Sequence, residues 1–271
     1  MNKIAKTVFV VLLMVTTING IAQNNNIIIG KKYSVVTQTK TNSGMSLMGQ
    51  QVDITGNVSS TAEVVFQSIS TTNTYKLLLT IKRLKGEIGA MGQQQDFDSD
   101  DESTRNNPLL GDMLKTINQP QEMIVENGQS ISKENQNDML SQMGNANTID
   151  VTKLQLGLQA NQIIQGYRWS DSSISENATQ INRYSISKIM NNEIEIAVST
   201  DLKINGTIKQ SGLEMKQNLM GTSKSVRLYN QINSLLISEK TAIEMTGTSE
   251  IMGMSGPLTF KSSSITTVKE Q

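Results

Sequence analysis

The chain has 271 residues, with 24 basic and 24 acidic side chains, no histidine and no cysteine. Without His there is no imidazole base, no Ser-His triad and no His-ligated metal. Without Cys there is no thiolate nucleophile, disulfide, zinc cluster, iron–sulfur site or acylated lipoprotein cysteine. Zero net charge offers none of the basic stripe that a nucleic-acid partner needs. Ser, Thr, Asn and Gln number 29, 26, 25 and 22. Such an uncharged polar surface suits solvated strands better than helices, where Glu and Lys dominate.

The N-terminus has the pattern of a secretory signal. Lys3 and Lys6 precede an apolar run from Val8 to Val15, and Gly20-Ile21-Ala22 supplies small residues before a cleavage point at Gln23. The uncharged stretch from Thr7 to Gln23 is short and polar-ended for a span of ~20 apolar residues. Residues 1–22 are therefore expected to be removed, leaving 23–271 as a single sheet-rich domain with no transmembrane segment.

In chain order, period-2 alternation dominates from 27 to 97. Tyr33, Val35, Thr37 and Thr39 share one face; Met45 and Leu47, Val52 and Ile54, Val64 and Phe66, and Tyr75, Leu77, Leu79 and Ile81 follow. Asn42-Ser43-Gly44, Thr55-Gly56-Asn57 and Thr72-Asn73 read as the turns between them. The pattern turns helical over 106–147. Asn107-Pro108 caps a helix over 108–118 with Leu109, Leu110, Met113, Leu114 and Ile117 at helical spacing. Ser132 caps a second over 133–143, with Met139, Leu140 and Met143 inward and Gly144 as its stop. Residues 148–162 fit strand and helix equally.

A second meander spans 163–269. Glu193 to Val198 alternates, Asn205-Gly206 signals a type I′ hairpin, and Gly253 to Pro257 forms a turn before a Ser/Thr-rich last strand. That strand, Ser262–Lys269, offers a polar edge for strand addition. The expected fold is mainly β with some α: two antiparallel meanders in one curved sheet, with two short helices on its concave face. An echo between Asn73-Thr74-Tyr75 and Asn182-Arg183-Tyr184, and Met-Gly at Met48, Met91, Met220 and Met252, hints at related halves without establishing a duplication.

The signal ending in Ala-Gln, the strand around Tyr33, the Met-Gly segments, Phe97-Asp98-Ser99-Asp100, Gly128 after an apolar strand, and Gly166-Tyr167-Arg168-Trp169 together resemble a family of secreted Bacteroidota proteins classed as a domain of unknown function. The resemblance covers most of 27–269 and implies an exported, sheet-rich envelope protein. It brings no catalytic residues with it. The order sheet, helices, sheet is also similar in layout to half-barrel envelope carriers of lipoproteins and lipids, which hold acyl chains in a groove; layout alone says little of function.

Three features carry chemical signals. Asp96, Asp98 and Asp100 have the first three spacings of a calcium loop, but Asp101 stands where Gly is needed and Asn107 where Glu is needed, so calcium is a weak candidate beside a solvated acidic loop. Ser-x-x-Lys occurs at Ser130–Lys133 and Ser185–Lys188, as often as chance provides. The Met pairs suit core filling better than copper, and Trp169 reads as a core anchor rather than a sugar platform. No cofactor and no catalytic activity are expected. The leading expectation is an exported, periplasmic or extracellular, non-catalytic envelope protein. It binds a hydrophobic small molecule or an envelope protein's apolar segment in a groove lined by Leu110, Met113, Leu114, Ile117, Met139, Leu140 and Met143. A structural or adhesive surface module is the alternative, and a carboxylate-dependent hydrolase the third.

Overall fold

The computed structural model describes residues 29–47, 50–71, 74–90, 92–105, 114, 116–126, 129–130, 149–174, 177–210, 213–251 and 253–271. Its strands are β1 (Lys32–Leu47), β2 (Gln50–Thr71), β3 (Thr74–Ala90), β4 (Gln93–Asp98), β5 (Gln121–Glu126), β6 (Gln129–Ser130), β7 (Arg168–Ile174), β8 (Ala178–Met190), β9 (Glu193–Gln210), β10 (Leu213–Asn230), β11 (Leu236–Ile251) and β12 (Met254–Glu270). A single turn of helix, α1 (Glu102–Arg105), follows β4. All twelve strands join one sheet in the order β6-β5-β3-β2-β1-β12-β11-β10-β9-β8-β7, and β4 shares the outer edge of β3 with β5. All the pairings are antiparallel.

The strands are long because the alternation does not stop at the polar clusters. At ~3.3 Å per residue, the 16 residues of β1 reach ~50 Å. Asn42-Ser43-Gly44 lies inside β1, Thr55-Gly56-Asn57 inside β2 and Asn205-Gly206 inside β9, so the turns expected there are corrected to continuous strand. The type I′ conformation occurs instead at Asn191 and Asn192, with φ of 54° and 62°, between β8 and β9. Met91-Gly92 and Met252-Gly253 place a glycine with positive φ at hairpin turns, whereas Met220-Gly221 is mid-strand. The recurrence therefore reflects two different backbone needs rather than a repeated strand unit.

Mid-strand glycines let neighbouring strands approach closely. A Cβ on Gly221 would lie 2.0 Å from the Glu244 carbonyl oxygen, and one on Gly247 would lie 1.9 Å from that of Asn218. Neighbouring strands approach too closely there for any side chain, so only glycine fits.

The first and last long strands, β1 and β12, pair along their length from Tyr33 opposite Glu270 to Met45 opposite Leu258. This pairing fuses the two meanders. It also corrects the expected free edge at Ser262–Lys269, because β12 sits between β1 and β11 in mid-sheet. Local pattern identifies a strand, but its neighbours are set by long-range pairing. Strand addition has an edge at β7, which pairs with β8.

The described residues do not supply the two helices expected on the concave face. The segments 108–118 and 133–143 lie mostly outside them, together with Leu110, Met113, Met139, Leu140 and Met143. Leu114 and Ile117 are described: Leu114 is buried and packs with Val58, Leu84 and Phe97, and Ile117 covers the same cluster. The cover that is described comes from residues 149–163, the stretch whose pattern was ambiguous. It forms two short 3₁₀ turns, Val151–Lys153 and Ala160–Gln162, joined by extended chain.

Candidate functional site

One face of the sheet turns inward throughout, and its chemistry changes along the strands. At one end Tyr33, Val35, Val64, Phe66, Tyr75 and Leu77 from β1 to β3 meet Ile186, Ile194, Ile196 and Leu236 from β8, β9 and β11 in one core, each no more than 2% exposed. Phe66 packs edge-on to Tyr33, with ring centroids 5.8 Å apart, and lies 5.6 Å from Tyr75. Val151, Leu154, Leu156 and Leu158 insert into this core from the 149–163 segment, which acts as a strap across that end.

Polar contacts hold the strap to both halves of the sheet. The Tyr75 hydroxyl donates to the Val151 carbonyl at 2.5 Å, and the Tyr229 hydroxyl to the Lys153 carbonyl at 3.0 Å. The Leu156 amide donates to Ser234, and the Leu236 amide to Leu154. Asp150 caps the first strap turn, accepting from the Thr152 amide at 3.1 Å. Lys153 reaches Asp150 at 3.2 Å and Glu239 at 3.6 Å, and Glu239 accepts from Arg227 Nε at 2.8 Å. Of these four charges Arg227 and Glu239 are the most buried, and breaking their pair would leave an uncompensated charge inside.

Burial pushes the Tyr75 phenol above its ordinary range, with the Asp150 charge adding to the effect. Burial likewise pushes Tyr229 up to about 12, against the opposing pull of Arg227. Tyr184 is raised by burial and by Asp171, which accepts its hydroxyl at 2.9 Å. Burial works against the charge on Arg227, yet Tyr229 and Glu239 hold its pKa above the ordinary value. Burial also opposes the charge on Asp150, but Lys153 and the Thr152 hydroxyl outweigh it and keep its pKa low. These groups are locked in fixed protonation states at neutral pH. That is a structural network rather than an acid–base pair poised to exchange protons.

Trp169 behaves as the anchor expected of it. It stacks on Tyr184 at 4.9 Å with rings nearly parallel and on Tyr167 at 5.7 Å, while Arg227 lies over the Tyr184 ring. All three rings pack against the core.

Beyond the strap the inward face becomes a belt of hydroxyls. Thr37 and Thr266 hydrogen-bond across β1 and β12 at 3.0 Å, Ser225 and Thr241 across β10 and β11 at 2.9 Å, and Thr41 and Ser262 at 3.4 Å. The composition predicts polar faces toward water, but this one looks into the concavity. Past the belt the face is apolar again: Leu219, Met245 and Leu258 are buried, and Met45, Leu202, Ile204, Ile243 and Phe260 around them only half-buried. We call this region the mouth. Among the described residues this apolar face is built from strand positions, while most of the expected groove residues, Leu110, Met113, Met139, Leu140 and Met143, lie outside them. The signal that would have found it is the same alternation, followed to the far ends of the strands.

The calcium candidates are otherwise engaged. Asp98 gives both carboxylate oxygens to Arg83, at 3.0 and 2.5 Å, and Asp100 lies 3.1 Å from the same guanidinium. The hydrogen bond from Arg83 holds the Asp98 carboxyl below its usual range. Asp96 sits in β4 opposite Glu87. Among the described residues no three acidic side chains are grouped to hold a metal. Ser185 is on β8, away from the helix start that a serine nucleophile of that motif uses.

No protein-family model and no curated protein matches the chain. Among solved structures, one describing lipid–protein interactions in lipovitellin aligns with 89% of this chain at 12% identity and a TM-score of 0.54; this chain spans 25% of that one. An outer membrane channel from Pseudomonas putida aligns over 90% of this chain and 97% of its own, at 8% identity and a TM-score of 0.29. A DUF1329 family protein from Desulfovibrio piger aligns over 89% and 84%, at 6% identity and a TM-score of 0.13. The lipovitellin likeness is one of fold: a long, curved, open antiparallel sheet.

Proposed function

We propose that the protein is an exported, non-catalytic envelope protein that holds a hydrophobic ligand, or an apolar segment of a partner, on the concave face of its sheet. The observation that carries this reading is the mouth. There the inward-facing residues continue the core of the strap end, but Met45, Phe260, Leu202 and Ile204 lie only half-buried. A monomer rarely leaves a contiguous apolar patch exposed without a use for it. The sheet shares its fold with lipovitellin, whose structure concerns lipid–protein interactions. Export rests on the signal pattern of residues 1–22, and residence in the periplasm or outside the cell follows from it. A non-catalytic role agrees with the fixed ionisation states of the strap network.

Native mass spectrometry of the protein purified gently from a bacterial envelope tests the reading. The expected result is a bound mass of lipid size that organic extraction releases. A ligand-free protein that also fails to take up an apolar fluorescent probe would overturn it.

A further inference from the structure

The concave face is not uniformly greasy. Between its two apolar ends lies the hydroxyl belt, and strand register makes it continuous. Ser60 on β2 lies opposite Thr37, Thr37 opposite Thr266, Thr266 opposite Glu239, and Glu239 opposite Arg227. The next inward row carries Ser264, Thr241 and Ser225 across β12, β11 and β10. A sheet meant only for hydrocarbon would carry Val and Leu there, as the same strands do at each end.

We propose, on the basis of the binding role above, that the ligand is an amphiphile with an uncharged, hydroxyl-bearing head. Its apolar tail lies along the mouth and its head hydrogen-bonds to this belt. Two observations support this class. First, the belt has hydrogen-bonding capacity to spare. A hydroxyl offers one donor and two acceptor sites. Each cross-strand pair, Thr37 with Thr266 and Ser225 with Thr241, uses one of its two protons. The Ser60 hydroxyl oxygen is buried with no partner, and its residue is 3% exposed. Buried polar groups in that state are costly unless something pairs with them. Thr266, Ser264 and Thr241 remain half-buried rather than sealed, so a head group can reach the belt.

Second, the charges bordering the belt are already matched. Arg227 is held by Glu239, and Lys153 by Asp150 and Glu239. Among the described residues that border the belt, these two cations are both paired. A phosphate or carboxylate head would therefore compete with Glu239 and Asp150, whereas a glycerol or alcohol head only adds hydrogen bonds. Hydroxyl recognition of this kind discriminates strongly, because binding an apolar analogue leaves the belt's polar groups unpaired.

The test uses the delipidated mature protein with diphenylhexatriene as an apolar reporter. Monooleoylglycerol, oleate and octadecane, which share a chain length, compete to displace it. Monooleoylglycerol is expected to displace the reporter at about tenfold lower concentration than the other two, one hydrogen bond's worth of affinity. The double variant Thr37→Val, Thr266→Val keeps the shape and strand propensity of both positions. It should erase that preference while reporter binding and melting temperature stay unchanged. Ser60→Ala, a second and milder variant, should reduce the preference without erasing it. Equal displacement by all three competitors, a preference for oleate, or a preference that survives the valine pair overturns the head-group assignment and leaves hydrophobic binding standing. A wild-type protein that never binds the reporter overturns the binding role and this inference with it.

Discussion

The two ends of the concave face are made from the same strands, by the same alternation, and differ in what covers them. At the strap end, residues 149–163 close over Tyr33, Phe66, Leu77 and Ile196 and leave them almost wholly buried. At the mouth, Phe260 and Met45 stand beside Leu258 and Met245 and remain half-buried. All five tyrosines and the single tryptophan belong to the strap end. Aromatic residues with a polar tip fit there because the strap brings backbone carbonyls for their hydroxyls. The described apolar residues of the mouth are Met, Leu, Ile and Phe, which ask for no hydrogen-bond partner. A sequence pattern specifies which side chains turn inward; whether they become a core or a surface depends on a segment that arrives from elsewhere in the chain.

The largest expected effect tests that division directly. Leu154 is 1% exposed, deep in the strap end. Leu154→Ala should cost ~2–5 kcal/mol, through lost burial and the cavity left behind. Phe260→Ala removes a larger side chain but should cost only ~1 kcal/mol, since part of its surface already meets water. It should instead weaken retention of the apolar reporter. Urea unfolding of the two variants compares them, and equal losses would mean that the mouth is as much a folding core as the strap end.

Much of this arrangement was legible beforehand. The inward faces of β1, β2, β3 and β9 follow from alternation alone, and Trp169 as an anchor follows from the scarcity of aromatics. Strand ends were not legible, because Asn205-Gly206 and Thr55-Gly56-Asn57 carry turn chemistry yet pair in unbroken register within strands. A Gly that answers a steric demand from the next strand looks in sequence like a Gly that answers a positive φ. The pairing of β1 with β12 was hidden too, because it joins segments more than 200 residues apart. The strap escaped a clear reading because its Leu154, Leu156 and Leu158 alternate like a strand. It is buried by contacts with both halves of the sheet rather than by a ladder of its own.

The tyrosine hydroxyls sharpen the comparison at the next level of effect. Tyr75→Phe and Tyr229→Phe each remove one hydrogen bond to the strap and should cost ~1 kcal/mol apiece. Both phenols have folded pKa values raised above the ordinary 10, and Tyr229 stands at about 12. The folded state therefore favours the neutral phenols. The stability they confer is complete below pH 10; that of Tyr229 drains away as the pH rises through about 12, and that of Tyr75 lasts to higher pH. Unfolding midpoints measured across this range should fall steeply in the wild type and more gently in the double Phe variant. Parallel slopes would show that alkaline unfolding begins elsewhere than the strap.

The smallest effect is expected at the strap's entry. The Asp150 side chain is 39% accessible, so its links to the Thr152 amide and to Lys153 are partly screened. Asp150→Ala should cost ~0.5–1 kcal/mol, the usual worth of a cap. The carboxyl's folded pKa lies below the ordinary 3.8, so this contribution is present above that pH and is lost as the pH falls through the folded value. The loss should be local. Tryptic cleavage after Lys153 should quicken several-fold in Asp150→Ala, while the long strands from β8 to β12 stay protected and global unfolding in urea shifts by no more than that cost. The reason lies in how the strap is held: four apolar side chains anchor it in the core, and Asp150 only fixes the turn that presents the first of them. A variant that instead unfolded as completely as Leu154→Ala would show that the turn nucleates the strap rather than trimming its end. The covered half of the sheet would then depend on a single exposed carboxylate.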